Sequence, residues 1–76
     1  ALSARPVKRS LTLHGHRTSV TLEDAFWEAL QEAAEAEGLS VNALAQRVDE
    51  GRGEAGLASA LRVWLLRRER EAARGR

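Results

Sequence analysis

Residues 17–50 read RTSVTLEDAFWEALQEAAEAEGLSVNALAQRVDE, and the fold turns on how the apolar residues in this stretch are spaced. Val20 and Leu22 alternate with Ser19 and Thr21, the period of a half-buried strand. From Phe26 onward the spacing changes. Phe26, Leu30, Ala33 and Ala34 recur at helical intervals, with Trp27 and Ala29 widening the stripe. Thr21 with Asp24 three residues later resembles a reciprocal helix cap, and Glu23 and Asp24 suit the positive end of a helix dipole. Gly38 fits the left-handed residue that ends a helix. Ser40 is expected to cap a second helix, whose stripe is Val41, Leu44, Ala45 and Val48. Gly51 and Gly53 end it.

Working outward, the segment before this stretch resembles it in miniature. RSLTL at 9–13 is a loose echo of TSVTL at 18–22. His14 and Gly15 between the two runs suit a tight two-residue turn, with Gly15 supplying positive φ. That turn would set Leu13 against His16, Leu11 against Thr18 and Arg9 against Val20. Leu11, Leu13, Thr18 and Val20 then share one face, and Lys8, Ser10, Thr12, Arg17, Ser19 and Thr21 share the other. Downstream, Leu57, Ala60, Leu61, Trp64, Leu65 and Arg68 predict a third helix over about residues 56–73. The expected layout is a basic tail at 1–7, a domain at 8–68 and a charged helix end or tail at 69–76.

The chain has 76 residues and no cysteine, which excludes disulfides, thiolate metal sites and cysteine nucleophiles. A second domain does not fit in this length. A lone core of this size is marginal, so oligomerisation is the expected staple. No apolar run approaches the roughly 20 residues of a membrane span, and no secretory signal is visible at the start of the sequence. The expected location is the cytoplasm, with no membrane partner. The net charge of +1 conceals a pattern of two basic ends around an acidic middle. Residues 1–22 carry cations and no acid, residues 23–54 are strongly acidic, and residues 55–76 are arginine-rich. Such asymmetry points to an anionic partner for one face.

The order strand, helix, Gly38-Leu39-Ser40-Val41-Asn42, helix resembles the ribbon-helix-helix DNA-binding fold of the MetJ/Arc superfamily. Over about residues 8–68 the chain is further similar to a small bacterial subfamily with an extra C-terminal helix. The resemblance implies a mostly α fold with a short β ribbon and a third helix, forming an intertwined homodimer. Its core would contain Val20, Leu22, Phe26, Leu30, Leu44 and Val48. In this family the strand before the first helix pairs with its copy, and the resulting ribbon enters the DNA major groove. Position by position, Arg17, Ser19 and Thr21 match the base-contacting residues. Ser40, Val41 and Asn42 match the phosphate clamp at the start of the second helix, and Lys8 and Arg9 are further candidate phosphate contacts. The chemistry agrees. Arginine donates bidentately to guanine, hydroxyls donate or accept, and free N–H groups at a helix start attract phosphate. The implied function is a sequence-specific transcriptional regulator, a repressor, acting on duplex DNA. The upstream strand departs from the family pattern. It pairs either within the subunit or between subunits, and a four-stranded sheet fits a groove about 12 Å wide less easily than a two-stranded ribbon.

Other features carry weaker chemistry. His14 and His16 lie on one side of a strand but lack a third ligand, so no metal and no cofactor is expected. Trp27 and Trp64 suit the core or a subunit interface. Glu23, Asp24, Glu28, Glu32, Glu35 and Glu37 form an acidic helix surface. It is either plainly solvated or a docking face for a basic protein or for segment 67–76 of another subunit. No nucleophile with a base and an orienting group stands out, and an enzyme is not expected. The alternative function is a protein–protein adaptor or antitoxin-like binder that uses the acidic face and the C-terminal helix.

Overall fold

The computed structural model describes residues 5–75. The chain forms β1 (Pro6–Leu13), β2 (His16–Glu23), α1 (Asp24–Glu37), α2 (Val41–Glu50) and α3 (Leu57–Arg74). β1 and β2 pair antiparallel within the chain, with Leu13 opposite His16, Leu11 opposite Thr18 and Arg9 opposite Val20. The turn between them has φ of 53° at His14 and 77° at Gly15. Positive φ at both central residues gives the turn whose twist matches that of the flanking strands. Residues 8–13 therefore pair within the subunit. β1 also takes in Pro6 and Val7, which the sequence assigns to the tail. Residues 1–4 of that tail and residue 76 of the expected charged end lie outside the described residues.

The helices begin and end for local reasons, with one departure from expectation. Gly38 ends α1 at φ 70°, and the Leu39 N–H returns to the Ala34 carbonyl at 2.9 Å. Ser40 Oγ accepts from the Ala43 N–H at 3.0 Å and caps α2. Thr21, however, does not cap α1. β2 continues through Glu23, which is the N-cap residue of α1 and makes no side-chain cap. The strand runs straight into the helix, so Thr21 stays in the sheet and Asp24 turns to other partners. α3 continues as one helix to Arg74, without a break at residue 69.

One face of the hairpin packs on the helices. Leu11, Leu13, Val20 and Leu22 from the strands meet Leu30, Ala33, Ala34, Leu44, Ala45, Val48, Leu61 and Leu65. Leu22, Leu30, Leu44 and Leu61 are completely buried. The residues expected to build a core shared between subunits are therefore already inside a single chain. Val20, Leu22, Leu30, Leu44 and Val48 are at most 7% exposed, and Phe26 is half-buried. β1 and α3 make the difference. They supply apolar cover from within the chain, so burial of these side chains needs no partner.

Leu61 and Leu65 tie α3 to the rest of the core, and Leu61 is the more deeply buried of the two. Leu61→Ala should lower unfolding free energy by about 2–5 kcal/mol, the cost of deleting a buried leucine and leaving a cavity. Urea unfolding followed by circular dichroism measures it. A loss within a few tenths of a kcal/mol would show that α3 is not integral to the core.

Candidate nucleic-acid interface

The face of the hairpin turned away from the helices is polar throughout its middle. Cross-strand neighbours there are Lys8 with Thr21, Ser10 with Ser19, and Thr12 with Arg17. All six side chains are exposed. Two are cationic, four carry hydroxyls and none is acidic. Lys8 and Arg17 form no ion pair with any described residue, so both charges face solvent. The three residues expected to contact bases, Arg17, Ser19 and Thr21, lie together on this face, with Lys8 across the ribbon from Thr21.

Arg9 lies elsewhere. Its register opposite Val20 puts it on the inner face, where its guanidinium donates to Asp24 at 2.5 Å and lies 5.2 Å from the centre of the Trp27 ring. An ion pair and a cation–aromatic contact hold it there. Its Nε is buried with no partner among the described residues. This placement removes Arg9 from the residues free to touch phosphate. The signal was present in the sequence, because a single cation at an apolar position of an alternating strand needs an acid nearby, and Asp24 is that acid.

The start of α2 lies beside the edge of β1. Asn42 Oδ1 accepts from the Thr12 N–H at 3.1 Å, and Gln46 Oε1 accepts from the His14 N–H at 2.9 Å. Two side chains of α2 thus occupy one backbone donor of β1 and one of the turn. Ser40, Val41 and Asn42 are brought next to the ribbon, with Ser40 and Asn42 exposed and Val41 half-buried. The first N–H groups of a helix have no acceptor within it. Ser40 takes up that of Ala43, and Val41 and Asn42 are the first two residues of the helix.

The opposite edge, that of β2, is met by α3. Arg62 donates to the Thr21 carbonyl at 3.2 Å and to Glu23 Oε1 at 2.9 Å from Nη2 and 3.1 Å from Nε, and it lies 5.7 Å from the centre of the Phe26 ring. Nothing in the spacing of residues pointed to this cluster, since the partners are separated by about forty positions. Glu23 is held below its ordinary carboxylate range by its own backbone N–H and by Arg62. Near the turn, Asp49 is held below its ordinary carboxylate range, first by Arg52 and also by His14, against the opposing effect of burial. His14 Nε2 lies 3.3 Å from Asp49 Oδ2, and both His14 and His16 are exposed. No group of three histidine or acidic side chains among the described residues is placed to hold a metal ion. No described helix is long and apolar enough to cross a membrane.

A two-stranded ribbon followed by two helices, with polar side chains on the outer ribbon face, defines a class. The chain belongs to the ribbon-helix-helix domain family, which matches residues 6–68. That family is one of DNA-binding domains rather than enzymes, and the match takes in both strands, α1, α2 and most of α3. A solved structure, that of an uncharacterized protein from Bordetella pertussis Tohama I, is similar at a TM-score of 0.79 and 43% identity. The match covers 92% of this chain and 60% of that one, so the chain spans well under the full length of this relative. No curated protein matches the chain.

The Glu23–Arg62 pair makes stability depend on pH. Because the carboxyl is held below its ordinary value in the folded chain, the pair stabilises fully above that value. The stabilisation is lost as pH falls through the lowered folded value. Thermal unfolding of the parent should therefore lose midpoint temperature more steeply below about pH 5 than that of Glu23→Gln. Parallel curves for the two proteins would mean that the pair contributes nothing to the fold.

Proposed function

We propose that this protein is a transcriptional regulator, a repressor, that binds duplex DNA by laying the outer face of its own hairpin in the major groove. The observation that carries the reading is that face itself: two free cations and four hydroxyls on a two-stranded ribbon, with no carboxylate among them. A ribbon of two strands is what a groove about 12 Å wide admits. Arg17 is the long base reader, donating to guanine, while Ser10, Thr12, Ser19 and Thr21 read by hydroxyl contact. Lys8 takes phosphate. Ser40, Val41 and Asn42 flank the ribbon at the edge of β1, where a phosphate strand bordering the groove would meet their N–H groups. DNA of the bacterial cytoplasm is the expected partner.

The reading differs from the family expectation in one respect. Both strands of the reading ribbon come from one chain, so a single subunit presents a complete face. Both edges of the hairpin are partly occupied, by Asn42 on β1, beside Gln46 at the turn, and by Arg62 on β2.

A second reading rests on the acidic surface of α1. Glu28, Glu32 and Glu35 are exposed and form no ion pair among the described residues. An adaptor or antitoxin-like binder would use them against a basic protein. Duplex DNA separates the two readings: the first requires salt-sensitive affinity for it, and the second requires little affinity for it.

Fluorescence anisotropy against a pool of random duplexes at two salt concentrations should show salt-sensitive binding. Lys8→Ala should reduce the salt slope by roughly one. Arg17→Ala should lower affinity for a selected site by about 1–3 kcal/mol and relax base preference. Absence of binding at low salt would overturn the DNA reading and favour the protein-binding one.

A further inference from the structure

Where α3 packs on α2, the two helices leave an open cleft of about 350 Å³ between them. That volume lies at the lower end of the range in which small-molecule sites fall. On α3, Ala60, Val63, Trp64 and Arg67 recur at helical intervals and form one wall. Val48 lies opposite on α2, and Ala55 closes the end at the connection between the helices. Trp64 is half-buried: it packs against the core and also lines the cleft. Arg47, Arg52 and Arg67 complete the lining, and no carboxylate belongs to it. The cleft takes no residue from either strand or from the first turn of α2, so it is separate from the proposed DNA-binding face.

The three arginines are held to different degrees. Arg52 is fixed at two points, since Nε donates to Asp49 Oδ1 at 2.6 Å and Nη1 donates to the Ala55 carbonyl. Its Nη2 has no partner among the described residues. Arg47 meets Glu37 only at 3.7 Å, with both side chains exposed. Arg67 forms no ion pair among the described residues. The cleft therefore offers one oriented guanidinium, one free one and one loosely paired one around an apolar wall with an indole in it. Guanidinium forks match carboxylate and phosphate oxygens, and both guanidinium and indole faces stack on flat rings. A cation would be repelled here. A bare inorganic anion would leave the apolar wall uncovered.

We propose that the cleft between α2 and α3 binds a small planar aromatic acid. The ring lies against Trp64, Val48 and Ala60. The anionic group, a carboxylate or a phosphate, accepts from Arg67 and from Nη2 of Arg52, with Arg47 adding positive charge at the rim. The proposal does not depend on the DNA-binding reading.

Titration of the full chain with naphthoate and with naphthyl phosphate, followed by nitrogen–proton correlation spectra, tests it. The two tryptophans give separate indole N–H signals, which Trp27→Phe assigns. The Trp64 signal should move with saturation while that of Trp27 stays, and the tighter of the two probes identifies the anionic group. Arg67→Ala should weaken binding by about tenfold, the loss of one charged hydrogen bond. Its circular dichroism should be unchanged, since Arg67 is exposed and unpaired. The neutral analogue naphthalenemethanol should bind correspondingly more weakly and be indifferent to Arg67→Ala. Absence of saturable binding at millimolar probe would overturn the proposal. So would binding that Arg67→Ala leaves intact, or acetate that moves the Trp64 signal as effectively as naphthoate, which would reduce the cleft to an unselective anion site. A polyglutamate peptide that moves that signal where neither aromatic probe does would likewise overturn it and assign the cleft to an acidic protein segment.

Discussion

The hairpin holds in one register because His14 and Gly15 both adopt positive φ, a turn geometry that matches the right-handed twist of the strands it joins. Side chains alternate along a strand, so a slip of one residue would exchange the two faces. Leu11, Leu13, Val20 and Leu22 would then meet water, and Lys8, Ser10, Thr12 and Arg17 would be pressed into the helices. The register thus decides the core and the polar outer face in a single step. The apolar cost of the wrong face is what keeps the outer one polar and exposed to solvent.

Two arginines convert this hairpin into part of a three-dimensional domain. Arg9 spans from β1 to Asp24 and Trp27 at the start of α1. Arg62 spans from α3 to Thr21 and Glu23 at the end of β2, over the ring of Phe26. Both act where the strand passes into the helix without a side-chain cap. Exposed ion pairs contribute little to stability, but these two are partly buried and each adds a contact to an aromatic ring. They fix the direction in which α1 leaves the ribbon, and with it the position of every apolar residue that α1 brings to the core.

The extra elements change what a single subunit can do. β1 provides the second strand of the ribbon, and α3 covers core residues that would otherwise need a partner. A small chain without cysteines thereby closes its core from its own sequence.

Much of this was legible in the residues. The shift from period two to helical spacing at Phe26, the glycine at 38 and the serine at 40 determined the order of elements, because each reflects a local backbone preference. The turn at His14-Gly15 and the alternation around it determined which side chains share the outer face. The tertiary structure alone decided three things. It turned Arg9 inward, closed the core within one chain, and brought Arg62, Asn42 and Gln46 to the ribbon edges. Each of these joins residues far apart along the chain, whose approach depends on how helices pack on the sheet. Local spacing carries the signal for a strand, a helix or a cap. It carries none for the angle at which α3 crosses the molecule, and that angle determines where Arg62 meets Thr21 and where the cleft between α2 and α3 is left open.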